Sequence, residues 1–143
     1  MLSLKKISTI FIVMLIFITF TSACNSRQAG TDIIDITWQW VSLAEYEPAS
    51  QSVVPDSENY TIILTSDGTL NIKADCNMVS GSYKIDGNSL TLELGPSTMA
   101  FCGEESLDLM FTELLNNVES YNLENDQLFL NLENEFGKMS FEK

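Results

Sequence analysis

Cysteine offers the most varied chemistry in this 143-residue chain, which has three of them, Cys24, Cys76 and Cys102. A thiol can carry a lipid, join a second thiol or act as a nucleophile. The chain has no histidine, the side chain that most often activates a serine or cysteine nucleophile near pH 7 and that commonly binds zinc. This composition disfavours most hydrolases and zinc enzymes, and we expect no catalytic residue, cofactor or metal.

The segment that ends at Cys24 has the features of an export signal. Two lysines precede an apolar run over residues 10–20, and small residues follow in the order Thr21-Ser22-Ala23-Cys24. Small residues before such a cysteine resemble the bacterial lipobox, in which the cysteine receives a diacylglyceryl group and becomes the mature N-terminus. The same small residues also fit an ordinary signal-peptidase site. We predict lipidation at Cys24.

The chain then divides into three parts. We predict a lipoprotein signal peptide over residues 1–23, a flexible tether over 24–34 and one monomeric folded domain over 35–143. The protein would be exported and anchored by its lipid to the bacterial cell membrane or the outer membrane, with the domain outside the cytoplasm. The formal charge of −13 repels nucleic-acid phosphates and anionic headgroups, so we expect no nucleic-acid binding and membrane contact through the acyl chains alone.

The other two cysteines, Cys76 and Cys102, are an even number in an oxidising compartment. A disulfide is the simplest expectation, and a pair of reactive thiols is the alternative. A disulfide would make this pair a structural feature of the domain.

Carboxylates are the remaining candidates for acid–base catalysis. Glu104 with Asp108, or Glu105 with Asp108, would share one face of a helix and could act as a pair if their protonation differed. Exposed charge in a first helical turn, where the helix dipole favours it, explains them better. The chain contains neither a calcium-loop pattern nor a glycine-rich phosphate loop.

Alternation of apolar and polar side chains, the pattern of half-buried strands, dominates the domain. The alternating apolar positions are Ile36, Trp38, Trp40; Tyr60, Ile62, Leu64; Leu70, Ile72, Ala74; Tyr83, Ile85; Leu90, Leu92, Leu94; Leu128, Leu130, Leu132; and Met139, Phe141. Asp67-Gly68 and Asp86-Gly87-Asn88 predict two hairpin turns. Residues 44–59 are predicted as a long loop.

One segment has the spacing of a helix instead. Its apolar positions recur at steps of three and four, at Leu107, Met110, Phe111, Leu114, Leu115, Val118 and Tyr121. We predict a helix over residues 105–120 and an α+β fold, in which a curled, barrel-like antiparallel β-sheet packs on this single amphipathic helix. The aromatic residues Trp38, Trp40 and Tyr60 would fill the core or line a ligand site in the mouth of the sheet.

Several segments together resemble a known family. They are the strand Thr37-Trp38-Gln39-Trp40-Val41-Ser42-Leu43, then Asp67-Gly68-Thr69-Leu70, Ala74-Asp75-Cys76-Asn77, Gly81-Ser82-Tyr83, Asp86-Gly87, Leu90, and finally Thr98, Ala100 and Cys102. In order and spacing they resemble the META domain family, also called the HslJ-like heat-shock protein family. The resemblance extends over about residues 35–141.

The resemblance implies a bacterial envelope protein, often a lipoprotein, associated with stress or antibiotic tolerance and without established catalytic residues. It marks Asp75, Asn77, Gly81, Tyr83 and Thr98 as motif residues with a structural or a binding role. Our leading hypothesis is a non-enzymatic envelope lipoprotein that contacts a protein or the cell wall. The alternative is a small-ligand-binding or inhibitor-like module that uses the mouth of the sheet.

Overall fold

The computed structural model describes residues 30–143, so the predicted signal peptide, Cys24 and most of the tether lie outside the described residues. The strands are β1 (Trp38–Tyr46), β2 (Ala49–Val53), β3 (Tyr60–Leu64), β4 (Thr69–Ala74), β5 (Asn77–Asp86), β6 (Ser89–Ser97), β7 (Val118–Glu124), β8 (Gln127–Leu132) and β9 (Gly137–Glu142), and the helix is α1 (Asp108–Asn116). Short 3₁₀ turns lie at Thr31–Ile33 and Ser57–Asn59. Within this range no helix has the length and apolar character needed to cross a membrane.

Eight of the strands close into a barrel. Antiparallel neighbours follow one another in the order β1-β3-β4-β5-β6-β7-β8-β9, and β9 pairs back with β1. β1 reaches β3 only through its first two residues, and its second half pairs with β2, which lies outside the closed ring. The predicted curled sheet with one helix is confirmed. Within residues 30–143 each strand of the ring has a neighbour on both sides, although β6 and β7 meet at one residue pair, Ser89 with Ser120, and β2 has a neighbour on one side.

The core is a cluster of buried side chains from the strands and the helix. At its centre is Phe111 of α1, which is fully buried. Its ring stacks on Trp40 with centroids 5.1 Å apart and lies 5.7 Å from Tyr60 and 6.3 Å from Phe141. The helix is therefore attached to the barrel by an aromatic side chain that enters the core, and each such contact adds to the burial of apolar area.

The two ends of the barrel differ. At one end, where β3 and β5 begin and β4 ends, the Leu107 backbone N–H donates to the Tyr60 hydroxyl over 3.0 Å, and α1 starts one residue later. We call this the helix end. At the other end, where β3 finishes, the Asp35 N–H donates to the Leu64 carbonyl over 2.7 Å. We call this the entry end, because the N-terminal segment joins the barrel there, opposite the helix.

The predicted helix is too long. α1 ends at Asn116, since the side-chain amides of Asn116 and Asn117 donate to carbonyls of the preceding turn and the backbone then extends. Val118 and Tyr121 belong to β7, whose register shifts between Val118 and Ser120. This β-bulge buries two strand residues three positions apart, so it imitates the spacing of a helix.

The predicted loop over residues 44–59 contains a hairpin. β1 continues to Tyr46, and β2 pairs with it through Ala49–Val53. All five side chains of β2 are exposed. A strand with no buried face shows no alternation of apolar and polar residues, so the pattern used for the other strands could not reveal it.

The folded domain also begins earlier than residue 35. Ile33 is fully buried, and its carbonyl accepts a hydrogen bond from the Trp38 indole over 3.0 Å. Residues 31–34 therefore belong to the domain, and the tether that we placed over 24–34 is correspondingly shorter.

The position of Phe111 leads to a stability prediction. Phe111→Ala should lower the free energy of unfolding by about 3 to 5 kcal/mol, because it leaves a cavity among three aromatic rings. Leu109→Ala is the matched control: this side chain is 79% exposed, and its truncation should cost under about 0.5 kcal/mol. Urea titration measures both. Equal losses would show that α1 does not insert Phe111 into the barrel.

Candidate functional site

The helix end is organised around Asn77, the only polar or charged side chain that is buried among residues 30–143. Its amide nitrogen donates to the Ala100 carbonyl and to the Asp108 carboxylate, each over 3.0 Å, and lies 3.2 Å from the Cys102 sulfur. Its amide oxygen accepts from the Ala100 N–H at 2.8 Å and the Thr98 hydroxyl at 3.0 Å. One side chain thus joins the start of β5, the segment after β6 and the start of α1.

Along residues 98–102, residues that contact Asn77 alternate with residues that do not. Thr98, Ala100 and Cys102 are bound to Asn77 or lie against it, whereas Met99 and Phe101 point away and are 95% and 84% exposed. Successive side chains of an extended segment point to opposite sides. The bonds to the Thr98 hydroxyl and the Ala100 backbone therefore fix the segment, and the two large apolar side chains are left exposed.

A disulfide holds the same segment. Cys76, in the turn between β4 and β5, is bonded to Cys102, with Cα atoms 5.6 Å apart. The bond holds the turn after β4 next to the segment that leads into α1. Because the bond occupies both sulfurs, the pair serves here as a staple beside Asn77.

An exposed apolar surface results at the helix end. Met99 and Phe101 lie with Leu109 of α1, which is 79% exposed, around an open cleft of about 550 Å³. We call these three residues the apolar platform. Large apolar side chains exposed together are uncommon on a monomeric domain and mark a contact surface. Nothing in the sequence indicates this surface, since neither Met99 nor Phe101 belongs to a periodic pattern or a motif.

The motif residues do not form one site. Asp75 makes the turn before Cys76 with a φ of 56°, and Thr98 lies beside Asn77, so both belong to the helix end. Gly81 lies within β5, where a Cβ would come 2.3 Å from the Glu93 carbonyl oxygen, so a side chain there would collide with β6. Gly81 therefore allows the close approach of two strands.

Tyr83 lies at the entry end. Its hydroxyl donates to the Thr65 carbonyl over 2.7 Å, which ties β5 to the turn between β3 and β4. Burial, with smaller effects from Asp35 and Asp67, raises the pKa of this phenol, so it remains a hydrogen-bond donor at neutral pH. Tyr83 is thus a structural residue on the far side of the barrel from the apolar platform.

The three aromatic residues predicted as a possible ligand lining are core residues. Trp38, Trp40 and Tyr60 are 0%, 1% and 4% exposed. The indole N–H of Trp40 donates to the Ser42 carbonyl over 2.9 Å, and the Tyr60 hydroxyl accepts from the backbone near α1. Their rings pack around Phe111 or beneath the 3₁₀ turn, which leaves no surface for a ligand.

The carboxylate pairs also differ from the expectation. Glu104 and Glu105 precede α1 instead of forming its first turn, and Asp108 accepts a hydrogen bond from Asn77. The Asp108 carboxylate, held by the buried Asn77 amide, thus helps to position the start of α1. Among residues 30–143 no group of three His, Cys, Asp or Glu side chains is placed to hold a metal ion.

A second open cavity lies at the C-terminal side of α1. It has a volume of about 770 Å³ and lies between the end of β1, the helix and the β8–β9 turn. The mouth of the sheet is therefore open, but its lining consists of other residues than those predicted. Three of its apolar lining residues, Tyr46, Met110 and Phe136, are between 43% and 48% exposed.

The disulfide gives the second prediction. Reduction, or the double change Cys76→Ser with Cys102→Ser, should lower the free energy of unfolding by about 2 to 5 kcal/mol, since the bond restricts the unfolded chain. Urea titration with and without reductant measures this, and reductant should have no effect on the double variant. Free alkylation of both thiols in the native protein would contradict the staple.

The Asn77 side chain gives the third prediction. Asn77→Ala removes the acceptor of the Ala100 N–H and the donor to Asp108, so it should cost about 1 to 3 kcal/mol. Asn131→Ala is the control, because Asn131 is partly exposed and bonds to the side chain of Ser120. A cost at Asn77 no greater than at Asn131 would show that the buried amide does not organise the helix end.

Known structures share this fold. A protein from Burkholderia xenovorans matches with a TM-score of 0.62 and 19% identity, over 77% of this chain and 82% of that one. A DUF4847 family protein from Bacteroides vulgatus matches with a TM-score of 0.59 and 16% identity, over 77% and 93%. At these identities the likeness concerns the fold. No protein of curated function matches the chain significantly.

The family follows from the sequence match and the fold together. The META domain model matches residues 31–141, which includes every strand of the barrel and the helix. The match also begins where the folded domain begins, at the 3₁₀ turn that buries Ile33. The chain therefore belongs to the META domain family.

Proposed function

We propose that this protein is a non-enzymatic bacterial envelope lipoprotein, anchored through Cys24, whose META domain acts by binding another envelope protein. The observation that supports it is the apolar platform of Met99, Phe101 and Leu109. The role in stress or antibiotic tolerance is the one that the family resemblance implies. No catalytic step is part of the proposal.

The geometry of the barrel suits an anchored binding domain. The N-terminal segment, which leads back to Cys24, joins at the entry end, where Gly30 lies against the side chain of Ile85. The apolar platform lies at the helix end. A lipid at Cys24 would thus hold the entry end toward the membrane and direct the platform away from it, toward other components of the envelope.

The chemistry of the platform favours a protein partner over the cell wall. A methionine, a phenylalanine and a leucine offer flexible and aromatic apolar contacts, the kind found in the centre of protein interfaces. Polar side chains such as Glu104 and Thr112 line the same cleft, so the preference for a protein rests on the three exposed apolar side chains. The disulfide and the Asn77 bonds hold the 98–102 segment in place before binding, which reduces the entropy that association costs.

The anchor is tested by metabolic labelling with an alkyne fatty acid. The wild-type protein should be labelled and should fractionate with membranes. Cys24→Ala should abolish the label, because the acceptor thiol is lost. A labelled Cys24→Ala protein, or an unlabelled wild type, would contradict the anchor.

The partner is tested by a photoreactive phenylalanine analogue placed at position 101. Irradiated cells should give one cross-linked product of defined mass, and Met99→Ser with Leu109→Ser should remove it. The matched control carries the analogue at Val53, which is 80% exposed on β2 and lies outside the platform. The same products from both positions, or none from position 101, would contradict a specific protein contact.

A further inference from the structure

The cavity beside the C-terminal half of α1 has an apolar floor. Leu43, Leu114 and Leu132 lie at its base, each less than 9% exposed. Tyr46 and Phe136 form part of its walls and are about half exposed, at 48% and 46%. A cavity of about 770 Å³ with such a floor has the dimensions of a ligand site. We call it the β1–α1 groove.

Five carboxylates line the same groove, and no basic residue does. They are Glu45, Glu47, Glu113, Glu133 and Glu135. The two ion pairs within residues 30–143, Lys84 with Glu93 and Lys143 with Asp126, lie elsewhere. None of the five is neutralised by a basic side chain of the described residues, so the apolar floor is surrounded by uncompensated negative charge.

The walls of the groove are held in position by the backbone. The Tyr46 N–H donates to the Phe136 carbonyl over 3.1 Å, which fixes the end of β1 against the β8–β9 turn. Within that turn Asn134 and Glu135 have φ values of 56° and 55°, in the left-handed region that non-glycine residues rarely adopt. This conformation places Glu135 and Phe136 side by side at the rim. The apolar and the acidic parts of the groove therefore lie on the same hydrogen-bonded elements.

We propose that the β1–α1 groove binds a cationic amphipathic peptide segment, in which basic and apolar side chains alternate. The apolar side chains would contact Leu43, Leu114 and Phe136, and the basic ones would pair with the surrounding glutamates. Anionic ligands are repelled by the rim, and a second copy of this strongly acidic chain brings the same negative charge to the contact. Exposed ion pairs contribute little each, so a purely ionic ligand would gain less than one that also covers the floor.

This site is independent of the apolar platform, because the two cavities share no lining residue. Peptide binding in the groove is a second activity, and it does not require that the apolar platform bind an envelope protein. Loss of the cross-link at position 101 and loss of peptide binding in the groove are therefore separate outcomes.

The test is titration calorimetry with a short acetylated peptide in which lysine alternates with leucine. The exported domain should bind it, and Glu113→Gln, Glu133→Gln and Glu135→Gln together should weaken binding at least about tenfold. The control changes Glu58, Glu119 and Glu124 to Gln. These three glutamates are exposed and lie outside the groove, so the net charge changes equally, and the control should retain affinity within about twofold.

Two further measurements separate the apolar and the ionic contributions to peptide binding. Phe136→Ser should also weaken binding of the lysine–leucine peptide. An unchanged circular dichroism spectrum would show that this variant remains folded. A lysine–serine peptide and spermine should bind at least about tenfold more weakly than the lysine–leucine peptide. Equal loss in both triple variants, equal affinity for spermine, closure of the groove by a second copy in sedimentation, or no binding at low salt would overturn the proposal.

Discussion

The helix end of the barrel depends on the hydrogen bonds of one buried amide, that of Asn77. The barrel interior is otherwise apolar, and a buried polar group without partners would cost free energy. Asn77 meets this requirement by binding both the N–H and the carbonyl of Ala100 and the carboxylate of Asp108. The segment between β6 and α1 lies outside the strands. The Asn77 bonds and the adjacent disulfide hold its middle, a backbone bond from Thr98 to Met78 holds its start, and the Leu107–Tyr60 bond holds its end.

This arrangement separates the residues of the motif from the surface that they create. Asn77 bonds to the Thr98 hydroxyl and to the Ala100 backbone, whereas Met99 and Phe101 make no bond to it, so their side chains can change without removing an Asn77 bond. The same frame can thus present different contact surfaces. The same separation is seen at the other cavity, where the Tyr46–Phe136 backbone bond sets the walls and the side chains supply apolar area and charge. At both surfaces the fold determines where the side chains lie, and the types of the exposed side chains determine which groups they can contact.

Much of the fold could be predicted from the sequence because its strands have one buried face. Alternation located β3, β4, β6, β8 and β9 and the start of β1, and the two glycine-containing turns located the hairpins. The errors have physical causes: β2 buries neither face, and the bulge in β7 imitates helical spacing. The candidate site was only partly predictable. Asn77 and the cysteines stood out by type, but the exposure of Met99 and Phe101 depends on which face of one segment Asn77 binds.

The central claim is that the Asn77 amide holds the 98–102 segment, and hydrogen exchange at the Ala100 N–H tests it directly. In the wild-type domain this amide should be protected, because it donates to the Asn77 side chain over 2.8 Å. In Asn77→Ala it should exchange far faster, while the Ile72 amide within the barrel keeps its protection. An unprotected Ala100 amide in the wild type, or equal protection in Asn77→Ala, would contradict the account.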